Sequence, residues 1–385
     1  MENKKWVAGW GASISYTAQN HGDCFKDQTF RCVFFPTMDG EAIRLHFSNR
    51  FGTESATLTK ANVAVSLGGN KIDTATIVPI TFNGGERSLV LECGGEYVSD
   101  EIPFTVTAGQ DFVVNMYYEG VTQYTTGHSN NGHYVKKFFA KGDMTEVDEI
   151  PLEILGENGP YVFLNTIDFL AADDCKAIVA FGDSITAQPW PDCLAHRIFD
   201  EGIRNRAIIR RGIGGNRVLR DYKYRMRKHY GIAGIKRFEQ DVTTVSGADK
   251  VFVLHGINDM LHPGPTNKIC PMSELPTYEE LTAGLKQYVD IAHNHGMKIY
   301  LATILPCPRI APPVEGDREN LRVRVNEWIR NESGADGVIE FEKAVMNPES
   351  PKEIFPLYDS GDHLHPSFAG AQKMADSIPE EFYKN

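Results

Sequence analysis

The sequence predicts two domains of different class. Residues 1–172 read as an antiparallel β-sandwich of jelly-roll type. Residues 173–385 read as an α/β domain whose mostly parallel sheet carries helices on both faces. Three observations lead there. The chain has 385 residues, more than one ordinary core accommodates. Its first half holds only short apolar segments separated by turn residues, with no long helical period. Near residue 172 the rhythm changes: apolar strand-like runs begin to alternate with helical ones, as a parallel sheet with crossover helices requires.

In the first half, "EAIRLHFSN" (41–49) alternates, with Ile43, Leu45 and Phe47 on one face and Arg44, His46 and Ser48 on the other. "ANVAVSL", "TATIVPITF", "RSLVLEC" and "DFVVNMYY" follow as strands, with "MDG", "GGN", "NGG" and "GG" as turns between them. Polar "AADDC" (171–175) is the expected junction. It is short and has no Gly, Ser or Pro run, so the sandwich is expected to pack on the second domain and frame its cleft. His46, Asn49, His128 and Asn130 are the candidate loop contacts there. In the second half the strands are "AIVAFG" (177–182), "RAIIRRG" (206–212), "KVFVLHG" (250–256), "KIYLATIL" (298–305) and "GVIEFE" (337–342). Helical candidates follow them: "PDCLAHRIFDEG", "GIKRFEQDVTTV", "YEELTAGLKQYVDIAHNHG", "RENLRVRVNEWIRN" and "FAGAQKMADSIPEEFYK".

Composition narrows the function. Hydrophobic residues are 42% and charged residues 23%, values of a globular chain. The net charge of -12 gives no general attraction to nucleic acid or anionic lipid, so neither is expected as a partner. No apolar run approaches a membrane span. "MENKKWVAGWGASIS" is interrupted by Gly9, Gly11 and Ser13, so no secretory leader is expected and the location is expected to be cytoplasmic. The seven cysteines are odd in number and form no CxxC pair, which suits reduced thiols. The twelve histidines show no HExxH spacing, and no metal or other cofactor is expected.

Residues just after the strands of a parallel sheet converge on one edge. Ser184 follows the first strand in "FGDSIT", "GIGGN" (212–216) the second, and "GIND" (256–259) the third; "SGDHLHP" (360–366) precedes the last helix. A hydroxyl, glycine amides, a carboxamide, and a carboxylate with two histidines are therefore expected together. Acyl transfer needs that inventory. A serine hydroxyl is a weak nucleophile until a base takes its proton, and the base is a histidine oriented by a carboxylate. Asp362 and His365 are three apart and can share one side of a turn. His363, adjacent to Asp362, points elsewhere, so His365 is the expected base. The developing oxyanion needs fixed donors: the N–H of Ser184, an N–H of "GIGGN" for which Gly214 and Gly215 compete, and the side chain of Asn258. Asp183 reads as a loop brace, and His255 and His262 as structural neighbours.

These four blocks, in order, resemble the SGNH (GDSL-type) hydrolase superfamily over roughly residues 176–385. "TFRCVFF", "IRLHFSNRFG" and "GHSNNGHY" of the first half resemble, more loosely, the β-sandwich that precedes the catalytic domain in a group of bacterial two-domain esterases. The resemblance implies a flavodoxin-like catalytic sheet, a Ser184–His365–Asp362 triad, and an oxyanion hole of Ser184, Gly215 and Asn258. It also implies a serine esterase working through an acyl-enzyme. The expected substrate is a small-molecule or oligosaccharide ester, with small acyl groups, above all acetyl, removed from carbohydrates. The alternatives are a lipid or aryl acyl-ester hydrolase, lysophospholipase-like, and a carbohydrate-binding protein with a decayed catalytic half, against which the intact blocks argue. Gln188, Trp190 and Arg309 are candidate substrate contacts, Trp190 as a ring for a sugar to stack on. For Arg309, as for Arg217 and Arg220, the plainer expectation is a solvated surface charge.

Overall fold

The computed structural model describes residues 3–16, 24–128, 134–223, 225–264, 269–310 and 317–384. The expected loop contact Asn130 lies outside them. Two compact units divide the chain: Met1–Lys176 with Glu201–Ile209, and Ala177–Asp200 with Arg210–Asn385. The division thus falls at Lys176 rather than at 172, and the short segment 201–209 clusters with the first unit.

The first unit is a β-sandwich. One antiparallel sheet has the order Lys4–Gly11, Leu164–Ala172, Ile43–Ser48, Glu96–Val98. A second runs Gly156–Glu157, Lys136–Lys141, Cys24–Phe34, Phe112–Gln123, Lys60–Gly68, Lys71–Ile72. The predicted alternation of Ile43, Leu45 and Phe47 is observed: all three are buried. "TATIVPITF" departs from expectation. Asp73 caps a single 3₁₀ turn, Thr74–Thr76, the strand is only Val78–Pro79, and Phe82 adds an isolated bridge to Glu86; Pro79 has no N–H for a longer ladder. Val33, Ala64, Ile72, Val113 and Phe138 form one apolar cluster. Trp10 packs on Phe34 and Tyr161.

A charge lies inside this sandwich. Arg31 is fully buried. Its guanidinium donates to the carbonyls of Asn70, Met144 and Val147 and to Asn115 Oδ1, and Asn115 donates onward to Asn62. Desolvation lowers the Arg31 pKa to about 10, which still leaves it charged at neutral pH.

Of the loop contacts expected of the sandwich, His46 and Asn49 have partners within it. His46 Nε2 lies 2.9 Å from the buried Asp168 carboxylate. Asn49 donates to the carbonyls of Glu54 and Leu91. His128 is buried on the Thr126–His128 strand.

The α/β sheet has the order Arg206–Gly212, Lys176–Gly182, Ala248–Leu254, Lys298–Ala302, Gly337–Ile339, or 2-1-3-4-5 in chain order, the flavodoxin-like arrangement. Its last four strands, in that order, pair in parallel. Lys176–Gly182, with six buried positions in seven, is apolar on both faces, as a central parallel strand must be. The Tyr278–Asn294 helix begins with a capping box between Thr277 and Glu280. "GVIEFE" splits: the strand stops at Ile339, and Phe341–Val345 is a helix whose Glu342 N–H is held by Thr303 Oγ1. All seven cysteines are free thiols. Among the described residues no helix is long and apolar enough to cross a membrane.

Replacing Arg31 with methionine removes donors from the carbonyls of Asn70, Met144, Val147 and Asp148 and from the Asn115 carboxamide. The expected loss is about 3 kcal/mol or more, read as a lowered denaturant midpoint for the unit that loses signal from Trp6 and Trp10.

Candidate active site

The sheet order places its switch between the Lys176–Gly182 and Ala248–Leu254 strands, where residues after both carboxyl ends face a common crevice. Ser184 opens a single helical turn, Ser184–Ala187. Asp183 supplies the cap: its Oδ1 accepts the Ile185 N–H at 3.0 Å. Ser184 is thereby left at the first helical position, where an N–H has no acceptor within the helix.

The second segment is held against the first by backbone proximity. Gly212 sits so close to the Ser184–Ala187 turn that a Cβ would fall 2.3 Å from Ala187 N, so only glycine fits. The Ile213 N–H donates to Gly182 O at 3.2 Å. Gly215 has φ +75, and a Cβ there would strike the Tyr230 ring at 2.3 Å. Its carbonyl accepts the Tyr222 hydroxyl at 2.6 Å. That hydroxyl has one proton to give, so His262 Nδ1 is the donor into the same oxygen.

The third segment locks onto the second. Asn258 Nδ2 donates to Asn216 O at 2.9 Å, which leaves its second N–H uncommitted by that bond. The neighbouring Asp259 carboxylate accepts the N–H groups of Val218 (2.7 Å) and Leu219 (3.1 Å). Arg237 then ties the segments together. It donates to Gly182 O (2.7 Å), Arg211 O (3.1 Å), Asn216 Oδ1 (3.0 Å) and Asp241 Oδ2 (2.6 Å). Its guanidinium lies over the Phe181 ring.

The fourth segment brings His365 to Ser184. His365 Nε2 is 2.7 Å from Ser184 Oγ, and His365 Nδ1 is 2.6 Å from Asp362 Oδ2. Asp362 Oδ1 accepts the N–H groups of Leu364 and His365. Partial burial pushes the Asp362 pKa up, but the His365 N–H, the imidazole and the Leu364 N–H outweigh it and hold the value at about 2. The group is anionic throughout the neutral range. Two other acids are pushed the opposite way by burial: Asp183 to about 7 and Asp259 to about 6.

Sequence reading and structure differ at several residues. Trp190 is 1% exposed and packs edge-on against Phe341. It belongs to the buried face of the Trp190–Asp200 helix and offers no ring to a ligand, so the sugar-stacking expectation is corrected. Arg217 is not a solvated charge. It is buried over the Tyr222 ring and paired with Glu274 at 2.8 Å. Arg220 is half-exposed and paired with Glu280. Gln188 is partly exposed beside the Ser184 turn, and Arg309 is exposed on the Pro308–Ile310 turn. His255 is buried, stacked on Tyr288, and its pKa is lowered to about 3 by desolvation, which keeps it neutral and structural. Sequence reasoning missed Arg237, Asn216 and Tyr222. Asn216 stands inside the second block and could have been noticed there. Arg237 lies in an ordinary-looking charged helix and gives no local signal. Among the described residues no cluster of three His, Cys, Asp or Glu could hold a metal ion.

The GDSL-like lipase/acylhydrolase family matches residues 180–373. No curated protein matches. Solved structures similar to this chain include a GDSL-like lipase from Bacteroides thetaiotaomicron at 18% identity, covering 54% of this chain and 87% of that one, with a TM-score of 0.39. An acetylxylan esterase from Geobacillus stearothermophilus is 21% identical, over 52% of this chain and 91% of its own, with a TM-score of 0.39.

Asp183 generates a pH test. Its folded pKa of about 7 lies above the ordinary 3.8. An acid raised on folding stabilises below its unfolded pKa, and that contribution is lost as pH rises through the folded value. Asp183→Asn keeps an oxygen for the Ile185 N–H and has no charge to bury. Its melting temperature is expected to fall less than that of the unaltered protein between about pH 5 and 8; parallel curves would contradict the assignment.

Proposed function

The chain belongs to the GDSL-like lipase/acylhydrolase family, and from that premise we propose that it is a serine esterase that removes short acyl groups, acetyl above all, from carbohydrates. The single observation that supports the chemistry is the relay of two short hydrogen bonds, Asp362 to His365 and His365 to Ser184. His365 Nε2 takes the Ser184 proton as Oγ attacks the ester carbonyl. The imidazolium that forms is stabilised by the Asp362 carboxylate, which is already ionised. The oxyanion is received by the N–H groups of Ser184 and Gly215 and by the uncommitted N–H of Asn258. His365 then protonates the departing alkoxide, and the alcohol leaves. Water, deprotonated by the same imidazole, attacks the acyl-enzyme, releases the acid and restores Ser184. The relay supplies its own base, so the cycle uses no metal and is expected to survive dialysis against a chelator.

The polar rim supports the choice of alcohol. Ser360, Asp362 and His363 are exposed on the segment that carries the base, and Arg309 is exposed two residues beyond Cys307, whose thiol bonds His363 O. Hydroxyl-rich leaving groups suit such a rim. The lipid or aryl reading has its own observation: Phe355 and Leu357, just upstream, are also exposed. The unpaired thiols support a reducing, cytoplasmic location as part of this proposal.

Ser184→Ala is expected to lower turnover roughly 10⁴-fold or more while the protein stays folded; near-normal hydrolysis would sink the nucleophile assignment. Catalytic efficiency is expected to fall from acetyl through butyryl to octanoyl esters. An apolar acyl tunnel would instead raise it, at about 0.8 kcal/mol per buried methylene. Octanoyl as the best substrate would select the lipid reading.

A further inference from the structure

The segment that carries the base holds two carboxylate–imidazole pairs. Besides Asp362 and His365, Asp359 Oδ2 lies 2.7 Å from His363 Nδ1. We propose that Asp359 is a positioning residue for the base: it holds His363 in a left-handed backbone conformation, and so sets how His365 reaches Ser184. The inference rests on the Ser184–His365–Asp362 reading.

His363 has φ +59, a region that residues with a Cβ enter only when their surroundings compel it. Three contacts do so. Asp359 Oδ1 accepts the His363 N–H at 3.1 Å, Asp359 Oδ2 engages the ring, and the His363 carbonyl accepts the Cys307 thiol at 3.6 Å. Asp359 Oδ1 also accepts the Gly361 N–H at 2.8 Å. The residue that follows Asp362 in the chain is therefore pinned at its N–H, its ring and its carbonyl. The Ser360 N–H closes the turn onto His365 O at 2.9 Å.

The left-handed residue is what makes the dyad compact. With the chain turned at 363, Asp362 Oδ1 collects the N–H groups of Leu364 and His365 while Oδ2 faces His365 Nδ1. If 363 relaxed to negative φ, the chain direction at 364 and 365 would change, and the two bonds to Ser184 and Asp362 could not both be kept. The exposure of the pair is lopsided. The His363 side chain is 66% exposed and that of Asp359 only 9%. The ring thus serves as a handle gripped from inside.

A rescue experiment tests this in the full chain with an acetyl ester. Asp359→Ala is expected to lower kcat roughly 10- to 100-fold with KM little changed, as a misplaced catalytic group does. Glycine enters the left-handed region without a side-chain penalty. Asp359→Ala with His363→Gly is therefore expected to regain about tenfold of the lost kcat. A residue that only stabilised the fold would show no such rescue. The inference is overturned if Asp359→Ala keeps full kcat, or if the double variant, folded by circular dichroism, is no more active than the single one. Should Asp359→Ala fail to fold, Asp359→Leu, similar in volume and without an acceptor, takes its place alone and with His363→Gly, and the same two results overturn the inference. An active Ser184→Ala protein would overturn the triad reading instead. Loss of activity there, with Asp359→Ala fully active, would overturn this inference alone.

Discussion

The Arg237 guanidinium, 2% exposed, spends its N–H groups on Gly182, Arg211, Asn216 and Asp241. Gly182 ends the strand before Ser184, Arg211 lies at the end of the next, and Asn216 sits in the loop that follows it. A charged group sealed from water needs every donor met, because each loss leaves a desolvated charge or carbonyl unpaired. That demand makes the cluster all-or-none. The Ser184 turn and the glycine loop cannot drift apart without exposing the guanidinium or leaving it unsatisfied. Asn258 enters the same cluster through Asn216 O, so the third segment is bound to the first two by a shared partner.

Buried arginine recurs as a means of closing loops in this chain. Arg318 donates to the carbonyls of Met260 and Pro263, just beyond Asn258. Arg322 donates to Ile304 O and pairs with Glu319 and Glu342. Arg31 gathers carbonyls within the sandwich. Loop carbonyls are ordinarily satisfied by water. A planar fork with five donors can replace several waters at once and holds the loops at fixed separations. The same segments also carry acids that burial pushes upward, Asp183 and Asp259. Burying them lowers stability.

The Asp362–His365 pair is built differently. Asp362 and His365 lie on an exposed segment secured by short-range bonds among residues 359–366. Ser184, Gly215 and Asn258 are held at the buried sheet edge, and His365 comes from a local turn with its own carboxylates. The His365–Ser184 bond joins them, and the Cys307 thiol on His363 O adds a second link.

The two fold classes, and the four blocks that meet at the sheet edge, are legible in the residues alone. Both are local properties: strand periodicity and turn chemistry are written in contiguous residues, and a parallel sheet brings strand ends to one side whatever the loops contain. The partner of His365 is legible for the same reason, since a three-residue spacing can close in one turn. Which polar residues are buried emerges only when distant segments pack. Trp190 belongs to the core because its helix packs on Phe341. Arg217 and Arg237 are interior because acceptors from distant segments surround them. His363 is held left-handed by Asp359 in its own turn and also by Cys307, 56 residues away. Burial of a charge depends on partners tens of residues away, and no window of sequence contains them.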